Sequence, residues 1–365
     1  MKLSSFLPFY EKLEALVLRL PAGLQHPILR EISPIKTLFL LQRPPRIALL
    51  GPNGAGKAEL LAALFGADVL LPGEENLNDG RWQTIGRTGR GHLRLLDARH
   101  PASQPILREE LTREAPDLFI FARTAEKPGD TLAADLDHAT QLLPVATPHT
   151  SATPKLLGLL LPAATGDVEA ARQELHSALH SRPELSARMV GTLALTPGVL
   201  DHRLAELIAL ELPGEAQLEM ARLSGNRALQ KQIAQVVIKS ITAICTAVGA
   251  QPIPLADFPI LTSLQATMVA GIMHISGREM SAKLAGEFIA ALGANVGLGL
   301  ALREGARAAV KLIPGWGSAI SGAVAGAGTY SIGQAAVSYF IEGLSLPDAR
   351  SIFRKRKKEP PQLKG

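Results

Sequence analysis

The chain has 365 residues, 47% of them apolar and only 4% aromatic, with a formal net charge of +5 and one cysteine, Cys245. An apolar share of that size excludes a disordered chain and suffices for two domains whose cores are built from small aliphatic side chains, helix on helix or helix on sheet. A single thiol excludes an internal disulfide, and Glu11 and Glu14 interrupt the apolar stretch that a secretory signal needs, so retention in the cytoplasm is expected.

In chain order, Phe6, Phe9, Tyr10, Leu13, Leu16, Val17 and Leu20 recur at helical spacing opposite Glu11, Lys12 and Glu14, which predicts an amphipathic helix over 5–20. A second helix is expected over 26–41, with Pro34 a candidate break, before RPPR at 43–46 resets the chain. The texture then changes. RIALLG at 46–51 reads as a buried strand, and KAELLAALFG at 57–66 reads as the helix that follows it. RWQTIGR and HLRLLDA, on either side of TGRG at 88–91, have the pattern of an antiparallel hairpin. DLFIFAR at 117–123, KLLGLLL at 155–161 and MVGTLAL at 189–195 are further strands, with helices over 131–143, 168–181 and 201–211. Strands alternating with helices over 46–222 predict a doubly wound α/β domain.

Beyond residue 225 the chain reads as apolar helices. LIPGWGSAISGAVAGAGTYSIGQAAVSYFI, 312–341, carries no charge and is long enough to cross a bilayer. Pro314 and six glycines raise the cost of a helix in water, while Gly322 and Gly326 form a face on which another backbone can approach. A span and an interfacial hairpin are both compatible with this run. So is packing of the glycine face within one chain or between chains. RKRKK at 354–358 concentrates positive charge, either as a solvated tail or as a binder of phosphates on lipid. No aromatic and basic interleaving accompanies it, so specific nucleic-acid binding is not expected.

GPNGAGKA at 51–58 is the stretch that carries chemistry. Gly51, Pro52, Asn53, Gly54, Ala55 and Gly56 can fold round a phosphate with N–H groups inward, at the positive end of the following helix, and Lys57 can reach the terminal phosphates. Ala58 stands where a hydroxyl would hold Mg²⁺, so the metal is expected to bind weakly or not at all. Asp97, in LLDARHP, is the candidate to hold Mg²⁺ through a water; its other reading is a cap on its strand. A glycine is expected three residues later, and His100 stands there. The carboxylate motif that reads guanine is missing after KLLGLLL, where Pro162, Ala163, Ala164 and Thr165 follow; EKPGD at 126–130 comes too early in the fold, and Asp167 is a remote substitute.

RLSGNRALQKQ at 222–232 looks like the signature loop of transporter ATPases, but no apolar strand ending in a carboxylate pair follows it. The histidines show no metal-ligand spacing, and His274 reads as a core residue. Arg81, Arg87, Arg90 and Arg94 read as a charged edge that deters strand pairing, the other reading being contact with phosphates or with a partner's acidic face.

PIPLADFPILTSLQATMVAGIMHISG at 252–277, with KLIPGWGS at 311–318 and TYSIG at 329–333, resembles the YcjF-type domain of unknown function found in bacteria behind an Era-like GTPase domain. The resemblance covers about 225–345 and, more loosely, 46–222. It implies a P-loop GTPase-like doubly wound α/β domain followed by an all-α hydrophobic domain, with the loop glycines and lysine binding the phosphate of GTP or GDP. The expected organisation is N-terminal amphipathic helices at 1–42, a degenerate GTPase-like domain at 43–222, a glycine-rich, membrane-associated helical domain at 223–345 and a basic tail at 346–365. The expected role is regulatory or scaffolding at the bacterial inner membrane, with weak or no hydrolysis, anionic lipid as a partner, and a homo-oligomer or helical partner left open. An active GTPase with non-standard contacts and a purely structural scaffold are the alternatives.

Overall fold

The computed structural model describes residues 22–52, 56–66, 80–87, 90–100, 103–124, 131–145, 153–161, 167–195, 201–250, 257–293 and 316–358, together with Glu11, Glu14, Val17 and Leu18. Most of the helix expected over 5–20 therefore lies outside the described residues. The chain divides into two compact units, Arg43–Asn226 and a second formed by Met1–Gln42 with Arg227–Gly365.

The first unit is α/β. Its sheet contains β1 (Arg46–Leu50), β2 (Trp82–Arg87), β3 (Gly91–Asp97), β4 (Leu118–Thr124), β5 (Lys155–Leu161) and β6 (Met189–Ala194), in the order β2-β3-β1-β4-β5-β6. β2 runs antiparallel to β3, and the remaining pairings are parallel. The inner strands are apolar runs because helices cover both faces. The helices in chain order are α2 (Lys57–Phe65), α3 (Gln104–Arg113), α4 (Leu132–Leu142), α5 (Val168–His180), the single turn α6 (Pro183–Ser186), α7 (His202–Glu211) and α8 (Gly214–Ser224). Side chains of α3, α4 and α5 join Ala48, Leu50, Leu96, Phe119, Phe121, Leu156 and Leu160 in one core. Ile47, Leu49, Leu95, Leu157 and Leu159 alternate to the other face, where α2, α7 and α8 pack on one another. Phe119 and Phe121 are fully buried, worth about 2–3 kcal/mol each in apolar transfer.

The α/β pattern read from the sequence is therefore present, with three additions, α3, the single turn α6 and α8. α3 was not anticipated, although Ser103 precedes it and Pro105 sits in its first turn, a helix-start signature. α8 was not anticipated either; it lies on β3, and Glu219 accepts from the His92 N–H at 2.9 Å. Arg43 of RPPR clamps Asp117 through two bonds of 2.8 and 2.7 Å, and Arg46 pairs with Glu114 at 2.7 Å, so that loop is an ion-paired anchor at the start of β1 and β4.

The second unit is helical: α1 (Ala22–Phe39), α9 (Arg227–Gly249), α10 (Asp257–Ile275), α11 (Ala282–Leu292), α12 (Trp316–Ala336) continued by a π-helical turn (Val337–Ile341), and α13 (Leu346–Lys358). α1 begins before the expected residue 26 and runs unbroken through Pro34, a difference explained by packing. Ile28, Ile32, Ile35 and Phe39 are buried on one stripe and α1 packs on α9, which outweighs the hydrogen bonds lost at Pro27 and Pro34. α9 also packs along α10 and α12. An added Cβ on Gly322 would meet the Thr246 carbonyl oxygen at 2.8 Å, and on Gly326 the Thr246 Oγ1 at 2.2 Å. The glycine face thus serves contact between two helices of the same chain. Reciprocal bonds of 3.3 and 2.9 Å between the Gln235 and Gln334 amides lock the same pair.

Among the described residues α9 is the one helix long and apolar enough to cross a bilayer, and 61% of its most apolar window is buried. Its exposed positions, Arg227, Ala228, Lys231, Gln232, Val236 and Lys239, recur at helical spacing. This is the pattern of an amphipathic core helix.

Candidate functional site

The apolar run of β1 ends at Leu50, and Gly51 takes φ +112°, which a side chain rarely adopts. A Cβ there would stand 2.2 Å from the Ala122 carbonyl oxygen of β4. Gly56 is left-handed at φ 49° and ψ 30°, forms the N-cap of α2, and would drive a Cβ to 2.0 Å from Leu161 Cδ1 at the end of β5. Two glycines are thus required for two reasons each, conformation and closeness. The Gly56 carbonyl already accepts from the Leu60 N–H at 2.9 Å, so the helix is wound from its first turn. Asn53, Gly54 and Ala55 lie outside the described residues. Pro52 is half-buried, and Ala58, on the first turn of α2, is exposed.

Lys57 opens α2 with its Nζ 3.6 Å from Asp97 Oδ2. Asp97 closes β3 beside β1, in register with Leu49. Its carboxylate is held by Arg99 through Nε to Oδ1 and Nη2 to Oδ2, both 2.7 Å, and the Arg99 N–H adds a contact at 3.4 Å. The side chains of Asp97 and Arg99 are only 6% and 3% exposed, so this is a buried fork pair. Burial pushes the Asp97 carboxyl up, but the Arg99 hydrogen bonds and charge, with Lys57 behind them, outweigh it and hold the group below its ordinary value.

The chain after Asp97 is tied down. The Ala98 N–H donates to the Leu49 carbonyl at 2.9 Å, and His138 of α4 donates from Nε2 to the Ala98 carbonyl at 2.8 Å. With that proton placed, Nδ1 of His138 accepts from the Gln104 amide at 3.0 Å. The His100 carbonyl accepts from the Ser103 N–H at 3.1 Å. Gly51, Gly56, Lys57 and Asp97 therefore converge at the carboxyl ends of β1, β3, β4 and β5, the edge where open α/β sheets receive ligands. Arg99 and His138 escaped the sequence reading. Arg99 had a readable signal in its place two residues from a candidate carboxylate; His138 had none, because 40 residues separate it from its acceptor.

Pro162, Ala163, Ala164 and Thr165, and the EKPGD stretch at 126–130, lie outside the described residues. Asp167 caps α5 by accepting from the Glu169 and Ala170 N–H groups at 3.0 and 3.1 Å. RLSGNRALQKQ is a helix junction, with Gly225 at φ 63° ending α8 just before α9. His274 is buried, hydrogen-bonds to Gln42 at 3.3 Å and lies against Phe39. Arg94 pairs with Glu114 at 2.6 Å and lies over the Trp82 ring; Arg81 and Arg90 are exposed, and nothing is described of the Arg87 side chain. Arg354, Lys355 and Arg356 are exposed on α13, whose Phe353 is buried.

No group of three or more His, Cys, Asp or Glu side chains suited to a metal ion occurs among the described residues. Cys245 is buried, and that burial pushes its thiol up to about 12, which removes it as a nucleophile. Comparison with models of known protein families finds no match, and comparison with curated proteins finds none either.

Proposed function

We propose that the α/β unit is a degenerate GTPase-like domain that binds the phosphates of a nucleotide, GTP or GDP, with weak or no hydrolysis, and that the helical unit brings it to an anionic bacterial inner membrane in a regulatory or scaffolding role. One observation carries the reading: two sterically obligatory glycines and Lys57 meet at the carboxyl ends of the parallel strands, at the start of a helix. Helix starts favour anions, and a lysine there adds a point charge. The strand order, with an antiparallel β2, agrees with the Era-like resemblance. Weak hydrolysis follows from the donor set. Ala58 offers no oxygen, and both Asp97 oxygens are engaged by Arg99, so Mg²⁺ does not fit these residues.

For the membrane, the supporting feature is the exposed basic cluster of α13. Each cation near an anionic surface contributes about 1 kcal/mol. Calorimetry with GTP, GDP and ATP tests the nucleotide half: the expected result is saturable binding weakened at least about tenfold in Lys57→Ala, since one charge-assisted contact is worth ~1.5–3 kcal/mol. Absence of heat with all three nucleotides would leave only a scaffold. Recovery of the protein wholly in the soluble fraction of cells at low salt would overturn the membrane half.

A further inference from the structure

We infer that Arg99 fills, from within the chain, the place a divalent cation would take beside Asp97, so that this site receives its polyphosphate without metal. The inference rests on the phosphate-loop reading above and names what that loop takes: a metal-free di- or triphosphate. A working metal site of this type needs a helix hydroxyl and a carboxylate whose oxygens can turn toward the ion's hydration shell. Neither is here. Ala58 replaces the hydroxyl, and Asp97 gives one oxygen to Arg99 Nε and the other to Arg99 Nη2, each at 2.7 Å.

The guanidinium is also the right substitute on electrostatic grounds. Lys57, Asp97 and Arg99 together carry one net positive charge, with Asp97 Oδ2 standing 2.7 Å from Arg99 and 3.6 Å from Lys57. A buried carboxylate next to Lys57 would otherwise oppose an incoming phosphate; Arg99 neutralises it, so the three groups together still favour an anion. The same fixed charge repels a divalent ion. The planar fork of an arginine matches both carboxylate oxygens at once, which a point charge cannot do. His138 and Gln104 hold the backbone after Asp97, which keeps the fork in register.

The experiment measures GTP and inorganic tripolyphosphate binding to the full chain by calorimetry, once with excess EDTA and once with millimolar Mg²⁺. Mn²⁺ binding to the anion-free protein is followed in parallel by electron paramagnetic resonance. The expected result is affinity equal within about twofold in the two buffers, no bound Mn²⁺, and a gain of at least about tenfold with Mg²⁺ only when Arg99→Ala is combined with Ala58→Ser, which restores the missing hydroxyl. A tenfold gain with Mg²⁺ in the wild-type chain, or Mn²⁺ bound by the wild type and lost in Asp97→Asn, overturns the inference and leaves the phosphate-loop reading standing. Absence of any binding by either anion in either buffer overturns both. The wild-type arms decide the question even if Arg99→Ala fails to fold.

Discussion

Removing the Arg99 guanidinium would strand the Asp97 carboxylate in a site where it is 6% exposed, with Lys57 Nζ still 3.6 Å away. Taking one partner from a buried pair costs about 3–5 kcal/mol, so Arg99→Ala is expected to lower stability to urea by an amount near the foot of that range, given the remaining ammonium. The pH dependence has a definite sign. Asp97 sits below its ordinary value in the folded chain, so its contribution is complete above about pH 4 and is lost as the pH falls through the lower folded value. Asp135 works the other way: burial raises it against the opposing pull of Thr131, Arg123 and His138, so its contribution is present in acid and lost as the pH rises through its raised folded value. Urea midpoints from pH 6 down to pH 2 should fall, and Asp97→Asn should flatten the fall. A wild-type midpoint unchanged by acid would contradict the assignment. Gly51→Ala should cost at least about 2 kcal/mol, since the new methyl meets a carbonyl oxygen at 2.2 Å in a backbone conformation reserved for glycine.

At the scale of elements, the paired helices α9 and α12 make the sharpest forecast. Gly322→Ala should lower the midpoint of unfolding by the equivalent of about 1–3 kcal/mol, because the helices can make room only by moving apart. Gly328, with open space where its Cβ would lie, is the matched control: Gly328→Ala should stabilise by about 0.5–1 kcal/mol. Equal effects at the two positions would show that helix propensity, and not close approach, governs this face. Much of this was legible beforehand. Periodicity located β1, β4, β5 and the long helices, because apolar runs between glycines and prolines leave few alternatives. α3 and α8 were missed because each mixes charges through its sequence: Glu110 of α3 and Glu219 of α8 are buried yet ion-paired with Arg113 and Arg222, and buried charge hides an amphipathic stripe.

Across the whole molecule, the helical unit is assembled from both ends of the sequence. A fragment covering 227–358 should therefore lose cooperative unfolding unless residues 22–42 are supplied, since Ile32, Ile35 and Phe39 of α1 are almost wholly buried and α1 packs on α9. Residues 43–226 alone should melt in a single transition, followed by circular dichroism. Binding to vesicles rich in phosphatidylserine should weaken as salt rises and fall sharply when Arg354, Lys355 and Arg356 are all changed to Gln, because Debye screening acts on exposed charges.

Local pattern alone made legible the α/β alternation, the helical character of the C-terminal half, the run of glycines between 51 and 56 and the lack of a hydroxyl at Ala58. Each is a local property, set by side-chain period, backbone freedom or the identity of one residue. Tertiary structure alone decided that Pro34 does not break its helix, that the glycine face of α12 closes on α9, and that both oxygens of Asp97 belong to Arg99. Those outcomes depend on which groups turn toward one another once the chain has folded, and neither the closeness of Asp97 and Arg99 in sequence nor the spacing of the glycines sets that orientation.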